Sequence, residues 1–115
     1  MHSEKFYLSD ESALTINAAK RKIAVGTTVT RVLEHLSFES KGKIESGSGQ
    51  TNIFIYPGHR FLGTDALLTN FHLPKSTLFM LVCALAGTDL MKEAYRKAVL
   101  EKFRFFSYGD CCLII

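Results

Sequence analysis

The chain has 115 residues, 47% of them hydrophobic and 22% charged, an ordinary globular composition that is too short for two full domains. Its formal net charge of +3 permits contact with a nucleic-acid backbone without demonstrating it. The three cysteines and the short apolar runs disfavour a disulfide framework, a thiolate zinc site and a membrane span of roughly 20 residues. The polar N-terminus has no signal-peptide pattern, so we expect a protein of the reducing cytoplasm.

The first third of the chain predicts a helix, a strand, a tight turn and a second helix. Ser9 is a suitable N-cap and precedes two acidic residues, which favours a helix that ends near Lys20. The apolar run KIAVG at 22–26 predicts a short buried strand that ends in glycine. A helix should then start at Thr27 or Thr28. This alternation indicates the α/β class, with short strands alternating with helices.

The middle of the chain predicts a loop followed by two strands. The polar run SFESKGKIESGSGQ at 37–50 is expected to be a surface loop. TNIFIYPG at 51–58 predicts a strand that Pro-Gly stops, and ALLTNF at 66–71 predicts another.

The last part predicts two helices and a strand. The run STLFMLVCALA should form a helix that ends at Gly87, and Thr88 is expected to cap the next helix. The tail FRFFSYGDCCLII should be a strand interrupted by Tyr-Gly-Asp. Cys111 and Cys112 are expected to be small core residues on that strand.

The run TNFHLPKST at 69–77 concentrates polar groups where a strand ends and a helix begins, the usual place for ligands in open α/β sheets. His72 can transfer protons near neutral pH, Lys75 supplies positive charge and Asn70 an amide. Ser76 and the free N–H groups that follow it can hold an anion. The alternative is a helix cap with a hydrogen-bonded core histidine, which these residues taken alone favour slightly.

The run GTT at 26–28 forms a second strand–glycine–hydroxyl–helix corner. Its Thr27 and Thr28, with Arg31 one turn into the helix, can bind phosphate or carboxylate. It matches neither the Walker loop nor G-x-G-x-x-G. On this signal alone, plain helix capping is favoured.

Aromatic and acid–base groups occur at three further places. YPG at 56–58 places Tyr56 beside a bend, and RFFSYGD at 104–110 interleaves aromatics with an arginine, an arrangement that can hold a base. The alternatives are a turn and core packing. MHSE places His2 and Glu4 on one side of a strand, as an acid–base pair, or else in a frayed terminus.

Six motifs, in order, resemble the S-adenosylmethionine:tRNA ribosyltransferase-isomerase family of queuosine biosynthesis. They are MHSE, IAVGTT with Arg31, IFIYPG, LLTNFHLPKSTLFMLV, AYRKAV and EKFRFFSYGD, and they extend over essentially the whole chain. The resemblance implies one part of the larger α/β domain of a two-domain enzyme about three times longer. Residues 1–115 would be a single C-terminal segment, without the family's N-terminal part and its inserted β-barrel domain.

The resemblance also implies a reaction. The ribosyl moiety of S-adenosylmethionine is transferred, with isomerisation, to 7-aminomethyl-7-deazaguanine in the tRNA anticodon loop. The product is epoxyqueuosine, adenine and methionine leave, and no metal or membrane takes part. The full-length enzyme is expected to be a monomer. The reaction needs a base near the sugar C5′, an acid for adenine, donors for an alkoxide and surfaces that stack purines.

Residue chemistry suggests which side chains meet these needs. Candidates for proton transfer are His72, His2, Glu4 and Asp110. Candidate hydrogen-bond donors are Thr27, Thr28, Asn70, Ser76 and Ser107. Candidate anion-binding residues are Arg31, Lys75 and Arg104, and candidate stacking residues are Tyr56, Phe106 and Tyr108.

Two other functions stay open, a non-catalytic nucleoside- or RNA-binding fragment and a purely structural fragment of the same enzyme. An ordinary methyltransferase is disfavoured because no G-x-G loop follows a first strand. If strands of the larger sheet lie outside this chain, its edges and one apolar face are exposed. We therefore expect marginal stability and weak or no catalysis from these 115 residues alone.

Overall fold

Residues 2–115, which a computed structural model describes, form five strands and four helices. In chain order they are β1 Glu4–Leu8, α1 Asp10–Ala18, β2 Ile23–Val25, α2 Thr27–Glu39, β3 Gly47–Thr51, β4 Ala66–Phe71, α3 Thr77–Ala86, α4 Thr88–Leu100 and β5 Phe106–Ile114. The predicted α/β class is confirmed. In this part of the chain no helix combines the length and apolarity that a membrane crossing requires.

The strands form two sheets. β1 and β3 pair antiparallel, whereas β4 lies between parallel β2 and antiparallel β5. Because β2 and β4 are parallel, Val25 and Phe71 end their strands at the same edge of the sheet. β5 begins at that edge, since Phe106 pairs with Phe71. This edge, termed the carboxyl edge below, is where an open α/β sheet usually binds ligands.

The helices cover one face of the three-stranded sheet. Ala24 and Leu67, which are neighbours across β2 and β4, are 1% and 0% exposed and belong to the main apolar cluster. On the other face Ile23, Val25 and Leu113 remain more than half exposed. The sheet is therefore half covered, as expected if further strands or helices belong against it. The helices contribute Leu33, Leu36, Leu81, Val82, Met91, Tyr95 and Ala98 to the cluster.

The helix starts agree with two of the four predicted caps. The hydroxyls of Ser9 and Ser76 accept hydrogen bonds at 3.1 Å from the N–H groups of Ser12 and Phe79, which satisfies one free donor in each first turn. The capping favoured for the hydroxyls of GTT is wrong, since no side chain within residues 2–115 caps α2. The prediction for Thr88 is also wrong. Gly87, with φ 101°, occupies the N-cap of α4 and no side chain caps this end in the described chain. Thr88 is already helical.

Two predictions about the middle of the chain are wrong. The expected loop at 37–50 has regular secondary structure at both ends, because α2 continues to Glu39 and the glycine-rich β3 pairs along β1. The expected strand at 51–58 keeps only Thr51 in β3. Beyond it, the carbonyl of Ile53 accepts two hydrogen bonds from the Arg31 guanidinium. A side chain thus replaces the strand partner that this segment would need.

The predicted C-terminal strand is confirmed, together with its interruption. Asn70 pairs with Cys111, but the next residue of β4, Phe71, pairs with Phe106. Residues 107–110 therefore bulge from the ladder, with Gly109 at φ 116°. The core role expected for Cys111 is wrong, because a position on the open side of the strand leaves it exposed; Cys112 packs against the apolar cluster.

Candidate functional site

Two adjoining cavities lie at the carboxyl edge and share the first two residues of α2, Thr27 and Thr28. The first, of about 370 Å³, is lined by residues that include Thr69, Asn70, His72 and Cys111. The second, of about 340 Å³, is lined by residues that include His2, Glu4, Arg31 and Ser76. The structure thus brings together side chains from both predicted strand–helix corners and from the N-terminal motif.

The shared wall of the cavities is built by a sharp turn after β2. Gly26 has φ 98°, which favours glycine, and its N–H donates to the carbonyl of Leu68 at 2.8 Å. The chain then enters α2 directly, and no side chain in the described part caps this helix. The first N–H groups of α2 are therefore available to an anion or a developing negative charge in the cavities.

His72 is 9% exposed and lines the first cavity. Its Nε2 lies 3.1 Å from the hydroxyl of Thr69, and its backbone N–H donates to the hydroxyl of Tyr95 at 3.1 Å. Burial lowers the pKa of the imidazole below 6.5. The ring is therefore neutral at physiological pH and has a nitrogen that can accept a proton.

Glu4 and Arg31 form an ion pair in the lining of the second cavity. Arg31 is 3% exposed and donates from Nε and Nη2 to the carbonyl of Ile53, at 3.2 and 3.1 Å. Its Nη1 lies 3.5 Å from Oε1 of Glu4, which also accepts from the Thr28 hydroxyl at 3.4 Å. Arg31 therefore holds the segment after β3 in place through Nε and Nη2, while Nη1 pairs with Glu4 in the lining of the second cavity. Because β1 begins at Glu4, His2 precedes the strand that the predicted pairing assumed.

The bulge at residues 107–110 places the aromatic residues of the RFFSYGD motif at the carboxyl edge. Phe106 and Tyr108 are exposed, with ring centroids 6.3 Å apart, and Ser107 lies exposed between them. Asp110 accepts from Nε and Nη2 of Arg104, at 3.2 and 3.3 Å. These hydrogen bonds lower the pKa of Asp110 and raise that of Arg104. Asp110 is ionised at neutral pH, which disfavours a general-acid role while the pair is closed.

Seven predicted residues line neither cavity. Five belong to the RFFSYGD motif, namely Arg104, Phe106, Ser107, Tyr108 and Asp110, and the other two are Tyr56 and Lys75. Tyr56 is 54% exposed and its ring packs 5.6 Å from Phe54 in the segment that follows β3. Lys75 lines a separate cavity on the other side of the loop between β4 and α3. That loop turns sharply, because the N–H and hydroxyl of Ser76 both donate to the carbonyl of Leu73.

The sequence prediction missed Glu34, whose side chain is fully buried. Its carboxylate accepts from the N–H groups of Leu62 and Gly63, each at 2.8 Å, and lies 3.1 Å from Nε2 of His59. Glu34 thereby fixes the loop that leads into β4. No local signal marked it, because its buried neighbours one turn away on α2, Thr30, Arg31 and Ser37, are polar as well.

The prediction also missed Thr69, which orients His72.

Among residues 2–115, no three His, Cys, Asp or Glu side chains come together in a group that could hold a metal ion. The site thus consists of a neutral buried imidazole, free helix N–H groups and an acid–arginine pair at the end of parallel strands. This arrangement is typical of a substrate site in an α/β enzyme.

The family model described as queuosine biosynthesis protein matches residues 1–114, and the chain belongs to that family. An S-adenosylmethionine:tRNA ribosyltransferase-isomerase from Syntrophus aciditrophicus is 57% identical over 115 residues, all of this chain and 32% of the relative. The enzyme of the same name from Symbiobacterium thermophilum is 56% identical over 119 residues, again all of this chain and 35% of the relative. The chain spans about a third of the length of these curated relatives.

A solved structure agrees with these matches. The crystal structure of an S-adenosylmethionine tRNA ribosyltransferase from Thermotoga maritima aligns with a TM-score of 0.85 and 43% identity, over 96% of this chain and 40% of that one. The family resemblance seen in the motifs is therefore confirmed. The assignment of the chain to one C-terminal segment stays a prediction.

Proposed function

We propose that this chain forms part of the active site of an S-adenosylmethionine:tRNA ribosyltransferase-isomerase. The complete enzyme would transfer and isomerise the ribosyl moiety of S-adenosylmethionine onto 7-aminomethyl-7-deazaguanine in tRNA, yielding epoxyqueuosine and releasing adenine and methionine. The observation that carries the proposal is the pair of adjoining cavities, in which the two strand–helix corners and the MHSE motif meet.

His72 is the candidate general base. The sulfonium of S-adenosylmethionine acidifies the C5′ hydrogens of the ribose, and a neutral imidazole at this position can accept one of them. Burial supports the role, since it lowers the pKa and keeps the acceptor nitrogen free of a proton at neutral pH. The Thr69 hydroxyl and the Tyr95 hydroxyl hold the residue in place.

The N-terminus of α2 is the candidate anion site. Thr27 and Thr28 would offer backbone N–H groups and hydroxyls to the carboxylate of the methionine moiety or to a developing alkoxide. Arg31 would add a single charged donor from Nη1, with Glu4 beside it as a second proton acceptor. Asn70, Ser76 and His2 would complete the polar walls of the two cavities.

The exposed residues of the bulge would contact the nucleobases. Phe106 and Tyr108 present aromatic faces at the carboxyl edge and Ser107 a hydroxyl, while the Arg104–Asp110 pair closes the bulge. Tyr56, which lies apart from both cavities, would stack on a nucleobase outside them. No metal enters this proposal, and its partners are S-adenosylmethionine and tRNA in the cytoplasm, with the full-length protein as a monomer.

A second function, binding without turnover, is supported by the state of Asp110. This candidate acid is paired with Arg104, and the pairing lowers its pKa. Half of a cleft can still bind a nucleoside while lacking the groups that complete the reaction.

Adenine release measures the proposed chemistry directly. Because these 115 residues alone are expected to have little or no activity, the chain is tested in place of the matching third of the Syntrophus aciditrophicus relative. This chimera is incubated with S-adenosylmethionine and a tRNA carrying 7-aminomethyl-7-deazaguanine, and adenine is quantified by chromatography. Loss of the general base in His72→Gln should lower the rate by about 100-fold or more, whereas His35→Gln, a change on α2 outside both cavities, should not. Equal rates for His72→Gln and the wild type would refute the assignment. Saturable binding of S-adenosylmethionine without adenine release would favour the second function.

A further inference from the structure

A third cavity, of about 440 Å³, lies between the start of α3 and the middle of α4. Its floor is apolar, formed by Phe79, Tyr95 and Val99, and the Val99 side chain is 59% exposed. Its rim carries three cationic side chains. These are Lys75, Lys92 and Arg96.

The charge of this rim is only partly neutralised. Arg96 pairs with Glu93 on the same helix, with Nη2 2.6 Å from Oε1. Lys75 and Lys92 are exposed and form neither an ion pair nor a side-chain hydrogen bond within residues 2–115. Two free ammonium groups therefore border an apolar floor, so that an anionic ligand with an apolar part complements this surface better than an inorganic anion does.

The third cavity adjoins the candidate active site through one loop. His72 lies in the first cavity, and three residues later Lys75 reaches the third. Tyr95 joins the two sides, because its ring lines the third cavity while its hydroxyl accepts from the His72 N–H. A polymer that places one nucleotide beside His72 would thus carry its neighbouring phosphates across this loop.

We propose that the third cavity binds the RNA backbone next to the nucleotide being modified, with Lys75 and Lys92 on phosphates and the apolar floor against a ribose or base edge. This inference rests on the proposed function, which supplies an RNA substrate. Single-stranded nucleic acid is commonly bound in this way, by cations along a groove with apolar or aromatic surface between them. Lys75 is then an RNA-binding residue and not part of the site for S-adenosylmethionine.

The test is the salt dependence of RNA binding by the chain. An anticodon stem-loop carrying 7-aminomethyl-7-deazaguanine is titrated by fluorescence anisotropy at several salt concentrations. The double variant Lys75→Ala/Lys92→Ala is compared with Lys43→Ala/Lys97→Ala, which loses the same charge from exposed positions outside the cavity. Each phosphate contact to a single strand contributes about 0.7 to the slope of log K against log salt, so two contacts contribute about 1.4.

We expect the first double variant to lose about 1.4 from that slope and to bind several-fold more weakly, while the control keeps the wild-type slope. Equal slopes for the two double variants would overturn the inference. Adenine release and binding of S-adenosylmethionine, measured on the wild type, separate this outcome from failure of the proposed function. If the wild type releases adenine but the slopes are equal, only the inference fails. If the wild type binds no RNA, both fail.

Discussion

Replacing Glu34 by glutamine tests how much one buried carboxylate contributes to the stability of the loop that leads into β4. Glu34 is 0% exposed and each of its oxygens accepts from a backbone N–H at 2.8 Å, with His59 as a third partner. Glutamine keeps one acceptor oxygen but turns an amide donor towards an N–H. One charge-assisted hydrogen bond, worth about 1.5–3 kcal/mol, is lost and one buried donor stays unpaired.

We therefore expect Glu34→Gln to lower the free energy of unfolding by about 2–3 kcal/mol. The assay is urea denaturation at pH 7 followed by far-UV circular dichroism, with the midpoint and slope fitted for each protein. The matched control is Glu39→Gln on the same helix. Its carboxylate is 63% exposed and pairs with His35, and such a surface pair contributes about 0.5 kcal/mol or less. Equal midpoints for Glu34→Gln and Glu39→Gln would refute the assignment of the loop's stability to Glu34.

Two further predictions concern pH and the open face of the sheet. Burial lowers the pKa of His72 below 6.5 in the folded chain, so the unfolded chain binds the proton more readily between the two values. The contribution of His72 to stability is complete above pH 6.5 and is lost as the pH falls towards its folded pKa. His72→Gln should therefore make the urea midpoint depend less on pH between pH 8 and 5. The same pH dependence in variant and wild type would contradict this. The exposed apolar residues of the open face are expected to make the chain self-associate. Val25→Thr with Leu113→Thr should reduce this association in sedimentation velocity and change the free energy of unfolding by less than about 1 kcal/mol, since both residues are more than half exposed. A wild type that stays monomeric, or a variant that associates equally, would contradict this.

Local signals predicted the elements whose ends are set by nearby residues. The strand at 66–71 has the predicted bounds, and Ser9 and Ser76 cap the helices they were expected to cap. For both caps the determining contact lies three residues along the chain, as with the Ser76 hydroxyl and the Phe79 N–H. Such contacts can be predicted without knowledge of the rest of the fold.

Elements that depend on distant partners were predicted wrongly. The apolar alternation after Thr51 is typical of a strand, but Arg31, 22 residues before Ile53, takes the carbonyl that a neighbouring strand would have used. The glycine-rich β3 has low strand propensity and forms because β1 offers it a partner. Neither effect is visible in a window of local sequence.

The site was predictable to the extent that it follows from topology. Polar residues after parallel strands meet at one edge, and Thr28 and His72, which the sequence singled out at separate corners, line one cavity. The position of Lys75 was not predictable. It depends on the tight turn between Leu73 and Ser76, which places residues 72 and 75 on opposite sides of one loop.

The bulge at 107–110 also affects how this chain meets other chains. β5 is an outer strand of the three-stranded sheet. A long flat outer strand offers unpaired N–H and C=O groups to any strand that approaches. The bulge removes residues 107–110 from that row and leaves only 111–114 in regular register with β4. A foreign strand could therefore add over four residues at most, below the usual length of about five or six for a strand. The segment that carries Phe106 and Tyr108 to the carboxyl edge thus also protects the sheet against unwanted strand addition.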